Sequence, residues 1–281
     1  MNNKFGGVWT IIKLDVLRKY LEAYTTAFKK LKYELIYLDA FAGTGEFDTR
    51  VGVIEGSTKI ALDLPRFNQY IFIEQDLNKY LALNQLKKDY PHKKISIVNG
   101  DCNDEIIHIV NNYNWKYTRA LAFLDPYNME LSFNTLEILA KTGAFDVWYL
   151  FPLNSATRSL RNDGDIDEPT EERLNRLFGD NDWKEKLYYE NPQMNFLNNE
   201  NNLIRKDQKD ICCYFKNKME TVFPSVSCPI CLKNSNKAPL FLLYFAVSNK
   251  DNKAQRLANN IANHIINKKQ TFVCGTPQKM I

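Results

Sequence analysis

The sequence predicts an α/β protein with one hydrophobic core, in which helices cover both faces of a mostly parallel sheet. The first observation is a series of short apolar segments, which we predict to be strands, at 34–41, 70–76, 94–101, 119–127 and 145–153. The second is that stretches of helical length lie between them, at 57–64, 77–90, 103–113 and 132–141. Strands that alternate with helices of this length are joined by right-handed crossovers, which produces a parallel sheet.

The remaining segments complete this core. Apolar residues spaced three and four apart predict a long amphipathic helix over 8–32. After Pro152 the pattern breaks, and 154–202 is polar and rich in Asn, which predicts an irregular, largely helical insertion without a clear strand. A helix near 203–221, an antiparallel strand pair at 221–248 and a last helix at 251–268 follow. We therefore divide the chain into a core at 1–153, an insertion at 154–202 and a completion of the core at 203–281.

Composition narrows the class of protein. The 281 residues are 44% hydrophobic and 25% charged, with 15 Tyr and 17 Phe, values that are typical of a folded globular protein. No apolar run approaches the roughly 18 residues that cross a bilayer, so we predict no membrane association and a cytoplasmic location. The six cysteines are irregularly spaced, which favours reduced thiols over a disulfide framework.

Positive charge is modest but unevenly distributed. The net charge is +4, which alone does not indicate a nucleic-acid partner. Basic residues are concentrated near the N-terminus, and Arg158 and Arg161 lie in a later segment. The simpler interpretation is a solvated helix face, and the alternative is a surface that binds a nucleic-acid substrate.

A glycine-containing turn follows the first predicted strand. Its residues are Asp39, Ala40, Phe41, Ala42, Gly43, Thr44 and Gly45. Glycines at the carboxyl end of a strand let the backbone approach a ligand closely, and open α/β sheets bind their ligands at that edge. The alternative is a tight turn without a ligand.

Acidic residues end the next strands in succession. Glu74 ends the second strand, where its carboxylate can accept both ribose hydroxyls of a nucleoside, and Asp101 ends the third, close to a bound adenine. We place Cys102, next to Asp101, in the same set. A single acid at such a position is often a helix cap, but four at successive strand ends, with Asp39 and Asp125, predict one common pocket.

Asp125, Pro126 and Tyr127 carry the hypothesis about the reaction. A carboxylate and a backbone carbonyl beside a proline can position an acceptor amine through hydrogen bonds, and Tyr127 can stack on a flat base. The alternative is a rigid loop with a packed tyrosine.

Metal binding is not predicted. Cys228 and Cys231 form a CxxC pair, but a structural zinc site needs four ligands, and the adjacent Cys212 and Cys213 make a poor second pair. The three histidines share no spacing.

The motifs resemble those of known families. Asp39–Gly45 and Asp125–Tyr127 are similar to the first and fourth motifs of class I methyltransferases that act on exocyclic amines of nucleic-acid bases. That resemblance implies a Rossmann-like fold and S-adenosylmethionine as cofactor. Those enzymes usually have two prolines between the acid and the aromatic residue, whereas this chain has one.

A longer resemblance is to the three-Cys-motif partner protein family (TcmP). It runs through Trp9 and Lys13, YLDAFAGTGEF, Glu55–Ser57, FIEQD, the NGD turn at 99–101, FLDPY, DVWYLFPL, Arg158, Arg161, the region of Phe178, Gly179 and Trp183, and PLFLLYFAVS. The resemblance implies a methyltransferase-like fold and a partner that is a radical-SAM-like protein bearing the three-cysteine motif.

Two functional hypotheses follow. The first is methyl transfer from S-adenosylmethionine to an amine of a nucleic-acid base, with Arg158 and Arg161 binding the substrate. The second is a non-catalytic accessory protein that binds S-adenosylmethionine and docks its radical-SAM-like partner. The single proline after Asp125 favours the second.

Overall fold

A central eight-stranded sheet organises the molecule. The computed structural model describes residues 7–49, 52–64, 66–191 and 203–267. The strands of the sheet are β1 (Glu34–Asp39), β4 (Gln69–Ile73), β5 (Ile95–Val98), β6 (Thr118–Leu124), β7 (Phe145–Phe151), β10 (Ser225–Val226), β11 (Ile230–Lys233) and β12 (Pro239–Val247). Two small pairs lie apart from it: β2 (Glu46–Thr49) with β3 (Gly52–Glu55), and β8 (Tyr188–Glu190) with β9 (Leu203–Arg205).

The order of the strands confirms the predicted fold class. Across the sheet the order is β10, β12, β7, β6, β1, β4, β5, and the five strands from β7 to β5 are parallel. β12 is antiparallel to β7, as the late strand was expected to be. This is a Rossmann-like sheet with an antiparallel late strand, and its strand order reverses between β1 and β6, where open α/β sheets form their ligand crevice.

Helices cover both faces of the sheet. They are α1 (Val8–Ala27), α2 (Ser57–Leu62), α3 (Leu77–Lys87), α4 (Cys102–Asn112), α5 (Phe133–Lys141), α6 (Leu153–Ser159), α7 (Glu168–Phe178), α8 (Trp183–Lys186), α9 (Gln208–Val222) and α10 (Asn252–Ile266). One core lies between the sheet and α1, α2, α3 and α10, and a second lies between the opposite face and α4, α5, α6, α7 and α9. Because both faces are covered, residues 147–151 of β7 form a continuous, buried apolar run rather than an alternating one.

The structure differs from the sequence predictions in the unpredicted β2 and β3 pair, in the length of α1 and around the insertion. α1 ends at Ala27, five residues before the predicted end. The segment 154–202 contains a strand, β8, where no clear strand was predicted, and its partner β9 takes the start of the predicted helix 203–221. That helix begins at Gln208 because the Asp207 carboxylate accepts hydrogen bonds from the amides of Lys209 and Asp210. Residues 192–202 of the insertion, the last residue of the predicted helix 251–268 and one of the six cysteines, Cys274, lie outside the described residues.

Within the described part of the chain, no helix has both the length and the apolar character needed to span a bilayer.

Candidate functional site

The glycine turn follows β1 at the carboxyl edge of the sheet. Gly43 and Gly45 have φ values of 63° and 87°, in the left-handed region that favours glycine. A Cβ at Gly43 would meet no atom within 4 Å, whereas a Cβ at Gly45 would lie 2.7 Å from the Leu86 side chain. Gly43 therefore borders open space, whereas at Gly45 the left-handed backbone favours glycine and the Leu86 side chain packs close to it.

The carboxylate of Glu74 holds this turn in place. Glu74 is buried, and its Oε2 accepts a hydrogen bond from the Gly43 amide at 2.9 Å while its Oε1 accepts one from the Asp76 amide at 2.9 Å. Each carboxylate oxygen can accept two hydrogen bonds. Glu74 therefore orders the turn and keeps acceptor capacity for a ligand.

A cavity of about 310 Å³ opens beside the turn. Five of the predicted site residues line it together: Phe41, Glu74, Asp101, Cys102 and Tyr127. The other lining residues are Ala40, Gln75, Asp76, Lys79, Gly100 and Glu130. The carboxyl ends of β1, β4, β5 and β6 thus supply one common pocket, as parallel strands do.

Asp101 and Cys102 lie where β5 leads into α4. The Asp101 carboxylate caps α4 by accepting a hydrogen bond from the Asn103 amide at 2.8 Å. Cys102 is buried, and burial raises the pKa of its thiol well above the ordinary value. The thiol is therefore neutral and packs against the pocket rather than acting as a nucleophile.

Lys79 and Glu130 are site residues that the sequence did not reveal. The Lys79 Nζ donates a hydrogen bond to the hydroxyl of Tyr127 at 2.7 Å, although the two residues are 48 positions apart. Burial raises the pKa of Glu130, and the charges of Asp101 and Glu74 raise it further. The position of Glu130, an acid five residues after Asp125, could have indicated that it belongs to the site. No local sequence pattern pairs Lys79 with Tyr127.

Asp39 lies outside the cavity, under the turn. Its carboxylate accepts hydrogen bonds from the Tyr37 hydroxyl at 3.2 Å and the Phe41 amide at 3.3 Å. Its pKa is raised to about 7, mainly by burial and also by the Asp125 charge, while a hydrogen bond with Ser57 opposes the rise. Asp39 thus contacts protein groups and supports the turn, and its direct contact with a cofactor stays a prediction.

Ala42, Gly43 and Gly45 also do not line the cavity directly. The Ala42 amide donates to the carbonyl of Ile73, and its carbonyl accepts from the Thr58 hydroxyl. These contacts fix the turn between β4 and α2, so these residues shape the pocket through the backbone.

Asp125 forms an ion pair with Lys13. Lys13 is one of the N-terminal basic residues for which a solvated helix face was the simpler interpretation, and this pairing corrects that interpretation. The Lys13 side chain is only 5% exposed and that of Asp125 is 15% exposed. The Lys13 Nζ also lies 5.0 Å from the centre of the Trp9 ring. Asp125 and the buried Pro126 do not line the cavity, whereas Tyr127 does and is 60% exposed. The signal for Lys13 was its place one turn after Trp9, on the apolar side of the predicted helix.

Arg158 and Arg161 lie in a second cavity, of about 480 Å³, which Arg173 also lines. Asn128 and Met129 contribute to this cavity, so the loop between Tyr127 and Glu130 separates it from the first. Arg161 pairs with Asp163 and Asp165, at 3.4 and 3.7 Å. Arg158 is exposed and makes no ion pair with any residue that the structure describes.

Over the described ranges, His, Cys, Asp and Glu side chains form no group of three or more that is arranged to hold a metal ion. Cys231 is buried on β11 in the core, and Cys228 lies just before that strand.

The first prediction concerns Asp39 and pH. Because its pKa in the folded state, about 7, exceeds that of an unfolded aspartate, the protonated form stabilises the fold below about pH 4, and this contribution is lost as the pH rises through 7. Asp39→Asn removes the titration. Urea unfolding at pH 5 and pH 8 should show that the variant gains stability relative to the unmodified protein as the pH rises, and an equal difference at the two pH values would contradict this pKa.

The second prediction concerns the Lys13 and Asp125 pair. Lys13→Met leaves a largely buried carboxylate without its cation and should lower the free energy of unfolding by about 3 kcal/mol or more. Lys13→Met combined with Asp125→Leu should lose less than Lys13→Met alone. Urea unfolding of both single variants and the double variant measures the coupling. Strictly additive effects would mean that the pair does not interact. Lys19→Met, in the exposed pair with Asp15, is the control and should change stability by less than about 0.5 kcal/mol.

Comparison with known proteins yields distant structural likenesses only. No family model matches the chain, and no curated protein matches it. A protein of Legionella pneumophila from the DUF519 family is 12% identical, with a TM-score of 0.49 over 92% of this chain and 94% of that one. The DszA carbon methyltransferase is 13% identical, with a TM-score of 0.45 over 88% of this chain and 56% of that one. Trm1 from Pyrococcus horikoshii, solved with S-adenosyl-L-methionine, is 11% identical, with a TM-score of 0.40 over 88% and 57%. Similarity this low assigns neither a residue nor a substrate.

Proposed function

We propose that this protein binds S-adenosylmethionine at the carboxyl edge of its sheet and transfers the methyl group to an amine of a nucleic-acid base. The observation that carries the proposal is the convergence of Phe41, Glu74 and Asp101 on one cavity beside a glycine turn. S-adenosylmethionine, when bound, supplies an electrophilic methyl group.

The cavity has the groups that an adenosyl ligand needs. The Glu74 carboxylate has acceptor capacity for two ribose hydroxyls, and Asp101 lies at the next strand end for the base. Phe41 gives an aromatic wall. The open space next to Gly43 leaves room for the rest of the ligand. These features support the assignment of the cofactor.

The acceptor side of the site is built around Tyr127. Its exposed ring can stack on a base, an interaction worth about 1 to 3 kcal/mol. Lys79 fixes the ring from one side through its hydrogen bond to the hydroxyl. Asp125 and the carbonyl of Pro126 are the acceptors nearest in sequence for an amine N–H. Asp125 would have to share its carboxylate between that amine and Lys13.

The second cavity supports a polyanionic substrate. Arg158 has no ion pair among the described residues, and Arg173 lines the same cavity. Guanidinium groups are the side chains best suited to phosphate oxygens. Since only the loop from Tyr127 to Glu130 separates the cavities, a nucleotide stacked on Tyr127 can direct its phosphates towards Arg158.

A second candidate function is an accessory protein that binds S-adenosylmethionine and docks a radical-SAM-like partner bearing the three-cysteine motif. The ion pair between Lys13 and Asp125 favours it, because it occupies the carboxylate that a methyl acceptor would need. The single proline between Asp125 and Tyr127 points the same way.

The third prediction tests the cofactor. By titration calorimetry, S-adenosylmethionine and its demethylated product should bind with dissociation constants below about 1 mM, and Glu74→Gln should weaken binding at least about tenfold because it removes the charge and one acceptor. Glu137→Gln, on the exposed side of α5, is the control and should bind normally. Absence of binding by either ligand would eliminate both candidate functions.

The fourth prediction separates the two functions. Labelled methyl groups from S-adenosylmethionine should transfer to RNA or DNA, and Asp125→Asn should slow the transfer about tenfold or more. Arg158→Gln should raise KM for the nucleic acid with little change in kcat and should reduce the dependence on salt, while Arg256→Gln on α10 should change neither. Cofactor binding without transfer to RNA, DNA or protein would leave the accessory function.

A further inference from the structure

A third cavity lies at the opposite edge of the sheet, where β6 and β7 begin. Its volume is about 520 Å³, within the range of small-molecule sites. The second half of α1 and the first half of α10 form its sides, and the starts of β6 and β7 and the end of β12 form its floor. None of the residues of the candidate cofactor site lines it.

Aromatic rings form one wall of this cavity. Tyr24 and Phe28 have ring centres 4.7 Å apart, and Phe28 and Tyr33 have centres 6.0 Å apart in an edge-to-face arrangement. Tyr20, 6.1 Å from Tyr24, continues the row, but both are buried, so Phe28 and Tyr33 are the rings of this wall that a ligand can reach. A wall of this kind favours a flat ring that can stack against it.

One carboxylate in the cavity, that of Asp146, has a single oxygen that is hydrogen-bonded to the described residues. The Asp146 Oδ2 accepts a hydrogen bond from the Tyr20 hydroxyl at 2.8 Å. Its Oδ1 has no hydrogen bond with any residue in the described part of the chain. Burial raises the pKa of Asp146 to about 7, which the Tyr20 hydroxyl and the Arg119 charge oppose. A half-buried carboxylate with one neutral donor is short of hydrogen bonds, and a ligand N–H would supply the missing one.

A guanidinium with unused donors lines the same cavity. The Arg119 Nη1 donates to the carbonyls of Trp115 and Thr118, at 2.9 and 2.7 Å, and the guanidinium lies 4.2 Å from the centre of the Tyr33 ring. Its Nη2 and Nε make no hydrogen bond with any described residue. The cavity therefore offers an acceptor and a set of donors next to a surface for stacking.

We propose that this cavity, formed by Asp146, Arg119 and the Tyr20, Tyr24, Phe28 and Tyr33 rings, is a second ligand site that binds a guanine base. Guanine has N–H donors on one edge for the Asp146 carboxylate and the O6 and N7 acceptors that guanidinium groups recognise in pairs. Its flat ring stacks on the aromatic wall. Adenine presents an amine where guanine presents O6, so it fits the Arg119 donors less well.

Titration calorimetry with guanosine tests the proposal. We expect a dissociation constant below about 1 mM, and binding of adenosine at least about tenfold weaker in the presence of saturating S-adenosylmethionine. Asp146→Asn, which keeps an acceptor for the Tyr20 hydroxyl, should weaken guanosine binding about tenfold or more. Asp89→Asn, at an exposed aspartate just after α3 that does not line this cavity, is the control and should bind as the unmodified protein does.

A second variant distinguishes loss of guanosine binding at the site from loss of folding. Ala254→Phe fills the cavity from α10 without touching Asp146 and should abolish guanosine binding while the thermal midpoint stays close to that of the unmodified protein. Glu74→Gln should leave guanosine binding unchanged, so failure of the cofactor site and failure of this site are distinguishable. Absence of guanosine binding, binding that Asp146→Asn does not alter, or displacement by S-adenosylmethionine would each overturn the proposal.

Discussion

One face of α1 fixes two largely enclosed carboxylates, one at each edge of the sheet. Lys13 pairs with Asp125 at the carboxyl edge, and Tyr20 donates to Asp146 near the opposite edge. Seven helical residues rise about 10.5 Å. On the sheet, Asp146 lies beside Leu121, and Asp125 follows four residues later, which is about 13 Å of strand. The two spacings match closely enough for one helix lying along the strands to meet both acids.

Because the two spacings match, polar contacts as well as apolar ones determine where α1 lies along the sheet. A buried ion pair adds little net stability, since desolvation offsets most of the attraction, but a wrong alignment leaves a buried charge unpaired and is strongly disfavoured. The Lys13 pair and the Tyr20 hydrogen bond therefore fix the position of α1 along the sheet more than they stabilise it. The orientation of Asp125, next to the candidate site, is a consequence of that position.

The sequence was sufficient to predict the sheet and part of the site, because the carboxyl ends of parallel strands all lie at one edge of the sheet. Glu74 and Asp101 were expected to converge for that reason, and they line one cavity. Asp39, in contrast, does not line the cavity. Side chains alternate along a strand, so Asp39 lies on the same face of the sheet as Tyr37, and α1 and α2 cover that face. The sequence does not reveal which helix covers which face. The pairing of Lys13 with Asp125 spans 112 positions, and no local pattern encodes such a contact.

The lining of the cavity also distinguishes among the ligands that a Rossmann-like sheet can bind. A dinucleotide places its pyrophosphate at the start of a helix that directly follows the glycine turn. Here the turn leads into the β2 and β3 pair, and α2 begins only at Ser57, so that helix start is displaced from the turn. Among the residues that the structure describes, four carboxyl groups line the cavity with one cation, namely Glu74, Asp76, Asp101 and Glu130 with Lys79. Such a lining repels a pyrophosphate and attracts a ligand with positive charge, because opposite charges attract strongly in a partly buried site. The sulfonium and amino groups of S-adenosylmethionine are positive, so the electrostatics of the pocket favour this cofactor, and the geometry of the turn independently disfavours a dinucleotide.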